Sequence, residues 1–202
     1  MKIYIIDTGS ANLNSVVQAF KRLGYEAVIS SDTDKMKDAD RLVLPGVGTA
    51  CAVMDGIEKF KLYDFILNTK KPLLGICLGM QIQATDSSEV PLNVAGEVIK
   101  CLDIVPSHVV KIPDTGLRLP HMGWNTVHHT DHPLFDSIKQ DAYFYFDHSF
   151  AMQVGQYTIG TTEYGVPFSS AIGRDNFMGV QFHPEKSSQA GEKLLSNFIN
   201  NF

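Results

Sequence analysis

The stretch Lys71-Pro-Leu-Leu-Gly75-Ile-Cys77-Leu-Gly79-Met-Gln81 constrains the fold more than any other part of the chain. Leu73, Leu74 and Ile76 form a short apolar run of the kind a buried strand shows. Gly75 and Gly79 stand two residues either side of Cys77. That spacing suits a nucleophile elbow, a strand turning sharply into a helix, with Cys in the place of Ser. The turn crowds the backbone, and only small neighbours tolerate it. A helix beginning at about Leu78 aims free N–H groups at the sulfur, a setting that lowers a thiol's pKa from its free value of about 8.5. The Leu78 N–H, on the residue after the nucleophile, is a natural oxyanion donor. Taken alone, the stretch fits a buried structural cysteine between two glycines equally well.

A second segment, Gly-Val-Gln-Phe-His183-Pro-Glu185, shifts that balance. Residues 177–182 read as a strand with His183 at or just past its end. Pro184 cannot extend a ladder and fixes the next turn. Glu185 lies two residues from His183, near enough to accept one ring proton. That contact fixes the tautomer and leaves the other nitrogen to the thiol. His-Pro-Glu by itself is a weak signal. With the elbow it supplies a thiol nucleophile, a base and an orienting carboxylate, the parts that covalent acyl transfer needs.

The 202 residues suffice for one sizeable core, and 44% hydrophobic with 19% charged residues is ordinary for a globular domain. A strand at 3–7 precedes a helix whose Leu13, Val16, Val17, Phe20 and Leu23 share one face, with Gly24 at its stop. Strands at 25–30 and 41–44, a helix over 57–67 and the elbow follow. Such alternation implies a parallel sheet covered by helices. The second half reads as strands at 94–100, 107–112, 125–129, 143–147, 158–163, 169–172 and 177–182, some pairing antiparallel at a sheet edge. A C-terminal helix carries Leu194, Leu195, Phe198, Ile199 and Phe202 on one stripe. Without linker or repeat, residues 1–202 read as one domain. Ligands of open α/β sheets bind beyond the carboxyl ends of the strands. The loop Pro45-Gly-Val-Gly48 lands there, beside the elbow, where its N–H groups can meet an oxyanion. It lacks the Gly-Lys-Ser/Thr ending of a phosphate loop.

Several functions are disfavoured. A net charge of −5 leaves no basic stripe for nucleic acid. No apolar run approaches the roughly 20 residues of a membrane span. The opening Met-Lys-Ile-Tyr-Ile-Ile-Asp reads as a strand rather than a signal peptide. Cys51, Cys77 and Cys101 are odd in number and scattered, so a reducing cytoplasm is the expected location. Asp7-Thr-Gly and Asp114-Thr-Gly mimic paired aspartic-protease half-sites, but the second lacks an apolar surround and the chain is not mostly β. His128-His129-Thr-Asp131-His132 reads as a polar turn rather than a metal site, since adjacent strand side chains point to opposite faces. Cys51 and Cys101 read as small buried hydrophobes.

Gly75-Ile-Cys77-Leu-Gly-Met-Gln81, Pro45-Gly-Val-Gly48 and Phe182-His183-Pro-Glu185 resemble the class I (triad) glutamine amidotransferases. Within that family, Pro120-His-Met-Gly-Trp-Asn125 and His183-Pro-Glu-Lys-Ser187 are similar to the glutaminase subunits of imidazole glycerol phosphate synthases, which act in histidine biosynthesis. The resemblance runs from Asp7-Thr-Gly-Ser-Ala-Asn to the C-terminal helix. It implies an α/β, single-domain, three-layer fold with a mostly parallel central sheet and antiparallel edge strands. It implies hydrolysis of glutamine to glutamate and ammonia, with neither metal nor cofactor. A (β/α)8-barrel cyclase subunit, paired as a heterodimer, would receive the ammonia through a tunnel and make imidazole glycerol phosphate and an aminoimidazole carboxamide ribotide.

By the same resemblance, Cys77, His183 and Glu185 are catalytic, and N–H groups of Val47 or Gly48 and of Leu78 form the oxyanion site. Gly48, Gln81 and the backbone of His148, Ser149 and Phe150 bind glutamine. Trp124, Asn125, Tyr145 and Lys186 face the barrel. Two stretches depart from the family pattern. Asp147-His-Ser-Phe150 stands where Val-His-Ser-Tyr is usual, introducing a carboxylate and losing a hydroxyl; strand alternation sends Asp147 away from the site. Ser87-Ser-Glu-Val-Pro-Leu replaces a Gly-rich, acidic stretch. The loop at 45–48 is expected to rest with its N–H groups turned away until the partner binds, leaving the isolated chain a weak glutaminase. Three other readings compete: a cysteine peptidase or other thiol hydrolase, an inactive scaffold subunit, and the same glutaminase serving another synthase, as in surface-sugar biosynthesis. The first often carries His directly after the nucleophile, where this chain has Leu78, and the second sits poorly with an intact triad.

Overall fold

A computed structural model describes residues 1–9, 13–90 and 98–202. Alternating side chains on the central strands create two cores. On β1 (Ile3–Ile6), Ile3 and Ile5 point to one side and Ile6 to the other. Val43 on β3 (Arg41–Gly46) and Leu74 and Ile76 on β4 (Leu73–Cys77) join Ile3, whereas Leu42, Leu44 and Leu73 join Ile6. The first core is closed by α1 (Asn14–Arg22) and α6 (Ser188–Asn200), through Phe20, Leu194 and Phe198. The second is closed by α2 (Thr33–Met36), α3 (Ala50–Lys59) and α4 (Tyr63–Asn68), through Met36, Val53, Ile57 and Ile66. The result is three layers around one sheet, as expected from the strand–helix alternation.

The parallel centre runs β2 (Ala27–Ser30), β1, β3, β4, β13 (Phe177–Val180). From there the sheet turns antiparallel through β12 (Val166–Arg174) and β10 (Phe150–Met152) to β7 (His108–Lys111). β11 (Thr158–Tyr164) leaves β12 to reach β8 (His121–His129), which forms a long antiparallel pair with β9 (Ala142–His148). This fold is a mixed α/β sheet with a parallel core.

Element bounds differ from the sequence reading where local closure decides them. The helix expected over 57–67 is the end of α3, which starts seven residues earlier at Ala50, followed by the separate α4. Lys61 takes φ 55 and the N–H groups of Lys61 and Leu62 bond Glu58 and Ile57 carbonyls, a Schellman ending with Lys where Gly is usual. That turn delivers Leu62 into the second core, where it is fully buried. Gly24 ends α1 in the same manner at φ 85, as its position suggested. Pro45 and Gly46 belong to β3 rather than to a loop, so the loop starts at Val47. The strand expected over 94–100 falls partly on 91–97, outside the described residues; its end, β6 (Ile99–Lys100), pairs with the short β5 (Asp86–Ser87).

Candidate active site

β4 ends at Cys77 and α5 (Leu78–Gln81) begins on the next residue. Cys77 sits at φ 55, ψ −112, a conformation side chains rarely adopt. Close packing imposes it. A Cβ added at Gly79 would lie 1.6 Å from the Leu44 carbonyl oxygen, and one at Gly75 would lie 2.3 Å from that of Gly79. The short α5 therefore presses on β3 and β4 at the residues flagged by the Gly-x-Cys-x-Gly spacing. Gln83 braces the turn, donating from Nε2 to the carbonyls of Gly79 (3.2 Å) and Met178 (3.0 Å).

His183 arrives from β13, the strand parallel to β4. Its backbone N–H donates to the Tyr145 carbonyl (2.8 Å), and its own carbonyl accepts from Ser187 Oγ (2.6 Å). Nδ1 lies 2.8 Å from Glu185 Oε1, which leaves Nε2 as the nitrogen open to Cys77, and both neighbours favour the charged ring. The Glu185 side chain is only 4% exposed. Burial alone would push the His183 imidazole down; the hydrogen bonds to Cys77 and Glu185, with their charges, outweigh it and raise the pKa above 6.5. Sulfur, imidazole and carboxylate thus stand in series at the carboxyl ends of adjacent strands.

A cavity of about 370 Å³ opens over Cys77. Gly46, Val47, Gly48, Leu78, Gln81, residues 147–150, His183 and Lys186 line it, with Glu89 and Pro120. Its size is within the usual range for small-molecule sites. Gln81 is held from within: Nε2 donates to the Phe150 carbonyl and to Gln181 Oε1, both at 2.8 Å, and Oε1 is buried without a partner. Gln181 Nε2 in turn approaches Cys77 Sγ at 3.7 Å. Gly48 adopts φ 96, and Val47 beside it is exposed. Trp124, Tyr145 and Lys186 form one surface cluster beside the cavity: the rings of Trp124 and Tyr145 meet edge-on with centroids 6.1 Å apart, and Lys186 Nζ lies 5.6 Å from the Tyr145 ring. Asn125 stands apart from that cluster, half-buried, its Nδ2 donating to the Glu163 carbonyl.

Asp147 does not face away. It lines the cavity, because the side of β9 turned to the core is taken by Phe144, Phe146 and His148. The alternation holds, but the cavity lies at the end of β9, where Asp147 and His148 both border it. Glu89 was missed. Its Oε2 accepts the Ala50 N–H (2.8 Å) at the start of α3, and burial raises its pKa, partly offset by that bond. Its only sequence signal was the departure of 87–92 from the family pattern.

The decoys separate in space. Asp7 and Asp114 each accept the N–H two residues on, at Gly9 and Gly116. His128 and His129 lie in β8 rather than in a turn; His128 faces Asp141, His129 stacks on Phe135, and His132 stacks on Phe202. Cys101 is buried, but Cys51 is only partly so, with Sγ 3.6 Å from Asp55.

Residues 4–202 match the family model of the class-I glutamine amidotransferases. The chain is similar to imidazole glycerol phosphate synthase subunit HisH of Photorhabdus laumondii, at 52% identity over 98% of this chain and 99% of the relative. The subunits of the same name from Vibrio cholerae and Escherichia coli K12 are 52% and 50% identical, each over 98% of this chain and 97% or more of their own length. Among solved structures, PurLQS from Thermotoga maritima superposes with a TM-score of 0.71 at 16% identity, covering 99% of this chain and 98% of that one. A crystal structure of a glutamine amidotransferase superposes with a TM-score of 0.71 at 14% identity, covering 97% and 96%.

Proposed function

Since the chain belongs to the class-I glutamine amidotransferase family, we propose that it is the glutaminase subunit of an imidazole glycerol phosphate synthase, acting in histidine biosynthesis in the cytoplasm. One observation carries the chemistry: a cysteine at a strained strand–helix turn shares a cavity with a histidine that is itself bonded to a buried carboxylate.

Cys77 Sγ, its proton already held on His183 Nε2, attacks the amide carbon of glutamine. The oxyanion is met by N–H groups of Val47 or Gly48 and of Leu78. His183 passes the proton to the departing nitrogen, which leaves as ammonia. The same imidazole then takes a proton from water, whose oxygen attacks the thioester; glutamate departs and the sulfur is left as thiolate beside the charged ring. Glu185 holds Nδ1 throughout, so Nε2 stays on the sulfur side.

Gln81 lines the cavity, and its buried Oε1 is left unpaired for substrate. The 148–150 backbone grips the amino-acid end of glutamine. The carboxylates of Glu89 and Asp147, both among the residues lining the cavity, suit its ammonium. The partner is a (β/α)8-barrel cyclase that receives the ammonia through a tunnel and docks on Trp124, Asn125, Tyr145 and Lys186. Of these, Trp124 is 52% exposed, an unusual position for an indole with no partner to cover it.

Two measurements test this. A reactive glutamine analogue should add to Cys77, read by mass spectrometry with the partner present; no adduct ends the glutaminase reading. Cys77→Ala should abolish glutamine-dependent synthesis and leave ammonia-dependent synthesis intact. A pull-down that brings down a synthase other than a barrel cyclase overturns the pathway assignment and spares the chemistry.

A further inference from the structure

Two buried histidines near the cavity take no part in the steps above. His121 opens β8 and His148 closes β9, directly opposite in the register. His121 is sandwiched between Phe146 (ring centroids 4.8 Å) and Tyr164 (4.0 Å), both stacked at 23°. His121 Nδ1 lies 2.9 Å from His148 Nε2, and His148 Nδ1 lies 2.9 Å from the Phe150 carbonyl oxygen. Asn125 Nδ2 approaches His121 Nε2 at 3.3 Å.

The direction of every bond follows from its two ends. A carbonyl only accepts, so His148 carries its proton on Nδ1. Its Nε2 then accepts, so His121 donates from Nδ1 and accepts at Nε2. Asn125 can donate there because its Oδ1 is already taken by the Thr126 N–H (2.8 Å), which leaves the amino group for His121 and for the Glu163 carbonyl. Three protons serve three links. Protonating either ring would set two N–H groups head to head in one link. Burial opposes that charge as well: it holds His121 near 4, and holds His148 near 3 despite its bond to Phe150, with His121 and His183 pushing the same way.

We propose that Asn125, His121 and His148 form a one-way hydrogen-bond chain that fixes the Phe150 carbonyl, on which the Gln81 amide hangs, and that His121 and His148 are therefore positioning residues for substrate. The proposal rests on the glutaminase reading for its substrate. The chain ends at the group that holds Gln81 Nε2, and with Nε2 so held, Oε1 is the end left for the ligand. His183 is anchored separately, by Glu185 and by the Tyr145 carbonyl, and the chain reaches Cys77 only at two removes, through Gln81 and Gln181. Loss of the chain should therefore weaken glutamine binding and spare turnover.

The test uses the complex with its synthase partner. In nitrogen-15 histidine spectra of the wild type, both rings should be neutral with the proton on Nδ1, the less common tautomer in free histidine. An Nε2–H tautomer at either ring overturns the proposal, whatever the activity. His121→Phe keeps the aromatic sandwich and removes the donor. It should raise KM for glutamine about ten-fold, the loss of one hydrogen bond to a buried acceptor, with kcat within about three-fold. A folded His121→Phe complex with KM within two-fold of wild type overturns the proposal; if that variant fails to fold, the wild-type tautomers decide. A wild-type complex that does not hydrolyse glutamine sinks the glutaminase reading instead and leaves the tautomer result standing.

Discussion

At the scale of single residues, the triad divides labour by environment. His183 is largely buried, its side chain 12% exposed, yet it favours its charged form, because Cys77 and Glu185 beside it both raise its pKa. Its folded pKa, about 10, lies above the free value of 6.5. The stabilisation from this shift is therefore fully present below pH 6.5 and lost as pH rises through the folded value. Glu185→Gln removes one of the two raising partners. In that variant the His183 pKa, read by NMR titration, should fall. The stability difference from wild type, read by denaturant unfolding, should shrink between pH 6.5 and 10. Catalysis should drop by about a hundred-fold or more, as expected when the orienting carboxylate of a triad is lost. The identities of these residues were legible in the sequence because the chemistry demands rare types at short, fixed spacings. The partner of Gln81 was not: Gln181 stands 100 positions away, and only the parallel pairing of β13 with β4 brings it to the elbow.

At the scale of elements, the elbow depends on interpenetrating backbones. Gly79→Ala would drive a methyl group into the Leu44 carbonyl. We expect it to cost about 3 kcal/mol or more, or to prevent folding, read by thermal unfolding. Glu89 illustrates the opposite case, one side chain serving two elements. It caps the first turn of α3 and its carboxylate borders the cavity. Glu89→Gln keeps an oxygen for the Ala50 N–H and loses the charge. Its melting temperature should stay within about 2 °C of wild type. Its KM for glutamine should rise by about ten-fold, the loss of one charge-assisted contact. Apolar periodicity marked β1 to β4 and α1 with small errors at their ends, and missed the short helix at Thr33–Met36 and the first two turns of α3. It failed at 57–67, where one apolar pattern runs from the end of α3 into α4, because the stop is a left-handed Lys61 and no glycine announces it.

At the scale of the whole molecule, the long β8–β9 pair separates two environments. One side packs Phe144, Phe146 and His148 inward; the other carries Trp124, Tyr143 and Asp147 toward solvent or the cavity. Met122 and Tyr143 are each 61% exposed on this pair. A contiguous apolar face of this kind beside a reactive site suits a docking surface. Trp124→Ala should weaken the affinity for the synthase partner by about thirty-fold, the effect of losing an aromatic anchor, measured by calorimetry. Glutamine-independent synthesis by the partner with added ammonia should be unchanged.

Residue chemistry and periodicity settle a great deal without any structure: a parallel α/β core, a cysteine elbow, and a histidine with its carboxylate. Each is written in neighbouring positions, where covalent geometry and side-chain period act directly on the sequence. What lies between distant segments is decided only by folding. The side to which Asp147 points, the burial of Glu89 against α3, and the chain from Asn125 to Gln81 all depend on which strands pair and in what register. A one-residue slip in β8 against β9 would turn His121 out of the core and break that chain, so no local pattern could have specified it.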